Sequence, residues 1–248
     1  MAMLPISEEN LNFHKFAQIV FDEFSNAVRQ LFVEMWDKKH VSMPWNDSSV
    51  LRKLFHNKEG TTQIPTGRSF NEWDCTSLFK ATIYSKSFSL AVMGGKETLA
   101  KHYLNNAPKP MPFHLTVKST KGDQNETYTF VIDQLRILRN TLCHSLKSGI
   151  NKKEFKKYVQ LAKEAFEAVS LSTERLDAIV SFSQSDFPIE KILKLEEYVR
   201  DEFEETRLQL TTESKLIEEK LERRFDNLDE RLDKILTHVS TNSKSKRK

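Results

Sequence analysis

Apolar residues recur at spacings of three and four along most of the chain, a period that is typical of amphipathic α-helices. One long stretch of this kind covers 8–36, and Ser7 occupies its expected N-cap position. Shorter helices are predicted over 49–56, 74–84, 99–104, 128–146, 152–169 and 173–182. The pattern therefore predicts an all-α fold with a helical domain over 8–185.

The stretch 105–124 interrupts the helical period. It holds three prolines and the sequence Lys121-Gly122-Asp123, which together predict a long loop. A short hairpin formed by 113–117 and 127–131 is a second feature that we expect here. Loops of this length in a compact domain are often functional or disordered.

A heptad pattern dominates residues 189–239, which contain no glycine or proline. Apolar positions alternate steps of four and three from Leu221 to Val239, and an offset seam from Val199 to Ile217 precedes them. At 1.5 Å per residue, such a helix spans on the order of 75 Å, which is more than the preceding domain can cover. We therefore predict a homo-oligomeric coiled coil over 188–239. The alternative is a shorter helix that folds back on the body.

Composition argues against several kinds of site. The six glycines do not form a nucleotide-binding loop, and two cysteines are too few for a disulfide framework. The spacing that a zinc site needs is also absent from the sequence. We expect no cofactor. No apolar stretch approaches the ~20 residues that a membrane span needs, and the N-terminus has no signal-peptide pattern. A cytoplasmic protein without membrane contact is the expectation.

The net charge of +3 conceals an uneven distribution of charge. Residues 190–239 hold 15 acids and 10 bases, whereas the tail 240–248 carries a net charge of +4. We predict that the tail is disordered. It is a solvated end of the chain, a nuclear address or a contact for nucleic acid.

One short motif suggests chemistry. The sequence from Arg139 to His144 follows the pattern R-N-x-x-x-H near the end of the 128–146 helix. Asn140 and His144 share a helix face, and Arg139 lies about 140° from His144 around the axis. In metal-free RNA cleavage, a neutral His accepts the proton of a 2′-hydroxyl and an Arg binds the phosphate. In this role, Asn140 would orient the His144 side chain or the phosphate.

A structural role for the same three residues is the alternative. His144 lies in the last helical turn, where the helix dipole favours the protonated imidazole, which suits an acid better than a base. His144 would cap the helix, Asn140 would hold it, and Arg139 would face solvent or pair with an acid.

Five lysines follow the motif closely and form a candidate nucleic-acid-binding patch. If they share a face, they can follow a phosphate backbone; otherwise they form an exposed helix flank. They are Lys147, Lys152, Lys153, Lys156 and Lys157.

In its order of landmarks, the chain resembles the HEPN superfamily over about residues 10–170. The R-N-x-x-x-H motif is followed by Ser145, a short loop and a helix that begins N-K-K-E-F. The branch that it is most similar to occurs in a DAZ-interacting E3 ubiquitin ligase and in animal NLR-type and TPR-type proteins. Further landmarks are V-R-Q-L-F at 28–32, Trp45, Trp73-Asp74 and Arg136.

The resemblance implies a helical bundle whose motif faces a dimer partner. Many HEPN proteins are metal-independent endoribonucleases with a site composed from two protomers, and Arg139, Asn140 and His144 match the motif positions. Others are binding modules. Two functions are therefore expected: an oligomeric adaptor in intracellular signalling, innate-immunity or ubiquitin-linked pathways, or an endoribonuclease that leaves 2′,3′-cyclic phosphate ends on RNA.

Overall fold

The structure is a computed structural model that describes residues 6–60, 64–95, 97–104, 113–143, 149–188, 190–201 and 203–204. Within these ranges the chain is mostly helical and contains no strand. This confirms the predicted all-α class. The helices are α1 (Glu8–Gln18), α2 (Ser25–Lys39), α3 (Ser49–Glu59), α4 (Cys75–Ala81), α5 (Leu99–Leu104), α6 (Gln124–Cys143), α7 (Lys152–Ala168) and α8 (Glu174–Ser181).

The first predicted helix is present but contains a wider segment. Ser7 caps α1, since the backbone N–H of Asn10 donates to its Oγ at 3.1 Å. A π-helical segment, Ile19–Phe24, then joins α1 to α2 without a break. The wider turn changes the phase of the helix by about one residue, and the predicted apolar face stays buried along both parts. Its buried members are Phe13, Phe16, Val20, Phe24, Ala27, Leu31 and Met35.

Helix α6 lies at the centre of the bundle, where it packs against α5 and α7, while α7 also packs against α1. It begins at Gln124 because Asp123 Oδ1 accepts the backbone N–H groups of Asn125, at 2.8 Å, and Glu126, at 3.3 Å. The predicted hairpin is wrong, because 127–131 belong to α6 and 113–117 form no strand. The first eight residues of the predicted loop, 105–112, lie outside the described residues.

An aromatic cluster joins α2 to α3 and to the segments that flank α4. Its centre is Phe32, which is fully buried. Six ring centroids lie between 4.7 and 6.2 Å from that of Phe32, mostly in edge-to-face or tilted arrangements. The cluster holds the α2–α4 half of the bundle together. The surrounding residues are Trp36, Trp45, Phe55, Phe70, Trp73 and Phe88.

The start of the predicted coiled-coil segment packs against the bundle. Residues 190–201 are helical, and Leu195 is only 5% exposed. The Tyr198 ring lies 5.6 Å from that of Phe21, and Glu196 Oε1 lies 3.2 Å from Nε2 of His14. One compact unit therefore continues to Val199, and a second begins at Arg200.

The remainder of the heptad pattern and the basic tail 240–248 fall outside the described residues. The coiled coil over 188–239 thus stays a prediction, and its described beginning, 190–199, packs against the bundle. Among the described helices, none combines the length and the apolar character that crossing a bilayer requires.

Candidate functional site

Burial of the apolar face of α6 sets the direction of the motif residues. Val131, Leu135, Leu138 and Leu142 are all buried, as the helical period predicts. This rotation turns Arg139, which follows Leu138, toward the neighbouring helix α4. The motif therefore starts inside the bundle rather than on its outer surface.

Arg139 connects α6 to α4. The residue is 4% exposed, and its Nη2 donates to Oγ1 of Thr76 at 2.5 Å. Its Nη1 donates to Oδ1 of Asn140 at 2.9 Å. Asn140 itself is half-buried at the helix surface. The solvent-facing position considered for Arg139 is therefore wrong. The guanidinium is held by two side chains at a fixed place beside the end of α6.

The other end of the motif is outside the described residues, which stop at Cys143 and resume at Gly149. His144 and Lys147 both belong to that interval, so their roles stay predictions. Where the chain resumes, Ile150 is bound to α1. Its N–H donates to the carbonyl of Glu9 at 3.0 Å, and its carbonyl accepts from Asn12 Nδ2 at 3.2 Å.

Both cysteines lie close to Arg139 in the bundle interior. Burial raises the pKa of the Cys75 thiol to about 12, although the Arg139 charge and a hydrogen bond with Ser25 oppose this effect. Burial also raises the pKa of Cys143, again against Arg139. Because thiolates are the reactive form, neither thiol is suited to act as a nucleophile at neutral pH.

The four lysines of the patch that the structure describes are exposed on α7, but two of them already have partners. Lys152 Nζ lies 3.2 Å from Glu8 Oε1, and Lys157 Nζ lies 5.0 Å from the centre of the Phe113 ring. Lys153 and Lys156 are exposed, and no carboxylate of the described residues lies within 4 Å of their ammonium groups. These two lysines are the better placed to contact a phosphate backbone.

A second polar cluster, which we call the His114 cluster, joins His114, Asp133 and Arg136. Asp133 is buried; His114 Nε2 lies 2.8 Å from its Oδ2, and Arg136 Nε donates to its Oδ1 at 2.8 Å. Burial alone would raise the pKa of Asp133, but the His114 hydrogen bond and the Arg136 charge outweigh burial and lower it. The carboxylate is therefore charged and binds the loop that contains His114 to the middle of α6.

Spacing alone does not single out His114 in the sequence. A signal was nonetheless present, since Asp133 and Gln134 are polar residues within the apolar part of α6. Gln134 is fully buried, and its Oε1 accepts the backbone N–H of His114 at 2.9 Å. Polar side chains in such positions require a covering segment, and the loop 113–123 provides it.

Within the described residues, no three His, Cys, Asp or Glu side chains converge in the way that a metal ion needs. In comparisons with known proteins, the chain matches no family model. Nor does it match any curated protein or solved structure at a significant level.

Proposed function

We propose that the chain is a HEPN-type interaction module that self-associates through 188–239 and presents its helical domain to a protein partner inside the cell. The observation that supports this role most directly is the position of Arg139. Its buried guanidinium joins α4 to α6 through Thr76 and Asn140. An arginine held in this way stabilises the bundle, whereas a catalytic arginine must reach a phosphate.

The heptad seam from Leu221 to Val239 supports self-association, because apolar residues at steps of four and three form a stripe that a second helix can cover. The first experiment is light scattering of the full chain, whose protomer mass is 28.9 kDa. We expect a multiple of this mass. Leu228→Arg combined with Leu232→Arg should yield a monomer, since both residues occupy the seam.

The control for this experiment is Asn227→Arg, which adds a charge beside the seam and should leave the oligomer intact. A full chain that is already monomeric at high concentration contradicts self-association through this segment.

A metal-independent endoribonuclease is the second candidate. Two observations favour it: Asn140 holds the Arg139 guanidinium one turn before position 144, and Lys153 and Lys156 on α7 have no carboxylate partner. In this role, His144 would accept the 2′-hydroxyl proton and Arg139 would stabilise the phosphate charge.

The decisive assay is incubation of the full chain with mixed single-stranded RNA in EDTA. Cleavage that leaves 2′,3′-cyclic phosphate ends and is lost in His144→Ala would establish the enzyme. Arg139→Lys, with its thermal unfolding measured in parallel, tests the second residue without removing its charge. If the wild-type chain does not cleave RNA, the endoribonuclease is contradicted and the interaction module stands as the proposed function.

A further inference from the structure

A cleft of about 590 Å³ opens between α2 and the start of α6. None of its lining residues belongs to the R-N-x-x-x-H motif. Its volume falls within the ~300–1,000 Å³ range of sites for small molecules. Apolar side chains provide most of the walls, and lysines and amides provide the polar part. The residues that matter for binding are Met35, Lys39, Phe88, Leu90, Asn125 and Tyr128.

Lys39 brings a positive charge to this cleft without a matching negative charge. Its Nζ donates to the carbonyl oxygen of Ser89. No carboxylate of the described residues lies within 4 Å of it. Burial and the charge of Lys58 lower the pKa of Lys39, while Glu59 opposes them. An ammonium group has three N–H donors, so Lys39 can donate to a ligand as well as to Ser89.

Glu59, whose charge acts on Lys39, forms no ion pair with it and instead accepts hydrogen bonds from the turn that follows Ser85. Its Oε2 accepts the backbone N–H of Lys86 at 2.7 Å, and its Oε1 accepts that of Ser87 at 2.6 Å. Glu59 thereby fixes the short turn Lys86–Phe88, which forms one wall of the cleft. The wall is held in place, and Lys39 has no carboxylate of the described residues in direct contact.

Lys38, the second lysine of the cleft, does have an ion-pair partner. Lys38 Nζ lies 2.7 Å from Glu34 Oε1 and 2.6 Å from the Tyr128 hydroxyl oxygen. The same Glu34 oxygen accepts the Tyr128 hydroxyl at 2.5 Å. The charge of Lys38 is therefore balanced within the protein. The lining of the cleft accordingly holds one cation, Lys39, that forms no ion pair within the described residues, beside apolar walls.

We propose that this cleft binds a small amphipathic anion, which carries one carboxylate or phosphate group on an apolar body. The anionic group accepts hydrogen bonds from Lys39 and compensates its charge. The apolar body displaces water from Met35, Phe88 and Leu90. A polyanion such as RNA does not suit the cleft, because it would bring several charges to a site with a single unbalanced cation.

The test uses the full chain and four eight-carbon probes: octanoate, octyl phosphate, octylamine and octanol. Calorimetric titration at neutral pH is expected to give a dissociation constant below about 1 mM for at least one of the two anions. Octylamine and octanol should bind at least tenfold more weakly. Equal binding of all four probes, or of none, overturns the proposal.

Two variants locate the site. Lys39→Met keeps the aliphatic stem but removes the charge, and Leu90→Ser makes one wall polar; each should weaken anion binding about tenfold or more. Lys101→Met is the matched control, since Lys101 is exposed, pairs with Glu97 and does not line the cleft. Circular dichroism and thermal unfolding establish that each variant is folded. Unchanged affinity in folded Lys39→Met overturns the proposal. Because no RNA and no oligomer is involved, failure here leaves the proposed function untouched.

Discussion

Nε2 of His114 lies 2.8 Å from Oδ2 of Asp133, and this contact joins an irregular loop to the central helix of the bundle. The carboxylate also accepts from Arg136, so it is paired on both oxygens. Asp133 is 4% exposed. A buried carboxylate with two cationic or hydrogen-bonding partners is costly to disturb, because removing one partner leaves the others buried without compensation.

Replacement of Asp133 by Ala should therefore lower the free energy of unfolding by about 3–5 kcal/mol. Urea unfolding followed by circular dichroism measures this change. Asp22→Asn is the matched control: Asp22 is exposed, and its replacement should change the free energy by no more than about 0.5 kcal/mol. Equal effects of the two substitutions would show that the His114 cluster does not stabilise the fold.

The same cluster predicts how stability depends on pH. The pKa of Asp133 is lowered in the folded protein, whereas in the unfolded chain it lies near its ordinary value of about 3.9. A depressed folded pKa contributes stability above the unfolded pKa, and this contribution is lost as the pH falls through the folded pKa. The stability difference between wild type and Asp133→Asn should therefore shrink from neutral pH to below about pH 4. A difference that stays constant down to that pH contradicts this assignment.

The apolar period predicts the helices well because it is a local property of the sequence. Ser7 caps α1 as its sequence position predicts. Asn151 caps α7 in the same local way, since its Oδ1 accepts the backbone N–H of Glu154 at 2.9 Å. The contact between His114 and Asp133 is not local, since 19 residues separate them. Only the packing of the loop against α6 brings them together.

The candidate site shows the same division between local and non-local information. Arg139 and Asn140 are neighbours in the sequence, and this brings their side chains within reach of a hydrogen bond. The bond from Arg139 to Thr76 depends on how α4 docks on α6, which no spacing encodes. The wrong hairpin has a similar cause, because Asp123 begins α6 one turn before the apolar period becomes visible.

The two cysteines should resist modification in the folded protein. Both are buried, and burial raises the pKa of Cys75 to about 12 and also raises that of Cys143. At pH 8 the thiolate population is therefore very small. A disulfide reagent with a coloured product should release almost no signal from the native chain, but two equivalents per chain in denaturant. Rapid labelling without denaturant would contradict the buried positions.

Phe32 is the aromatic residue whose loss should cost the most stability in the α2–α4 half. Its ring lies within 6.2 Å of six other aromatic rings. Phe32→Ala leaves a cavity at their centre, so the free energy of unfolding should fall by about 3–5 kcal/mol. Phe130→Ala, at a half-buried position on α6, should cost less. The comparison requires only denaturant unfolding of the two variants, and an equal loss would contradict the central position of Phe32.

The helix over 190–201 offers a test of whether its beginning belongs to the bundle or to a coiled coil. Leu195 is 5% exposed and contacts the core, whereas Leu193, two residues earlier, is 59% exposed. If this stretch packs on the body, Leu195→Ala should destabilise the folded chain by about 2–5 kcal/mol, and Leu193→Ala by no more than about 0.5 kcal/mol. The oligomeric mass should stay unchanged in both variants, because most of the predicted seam, including Leu221 to Val239, lies after Arg200. If Leu195→Ala instead dissociates the oligomer and leaves the unfolding of the helical domain unaffected, residues 190–201 belong to the intermolecular coil.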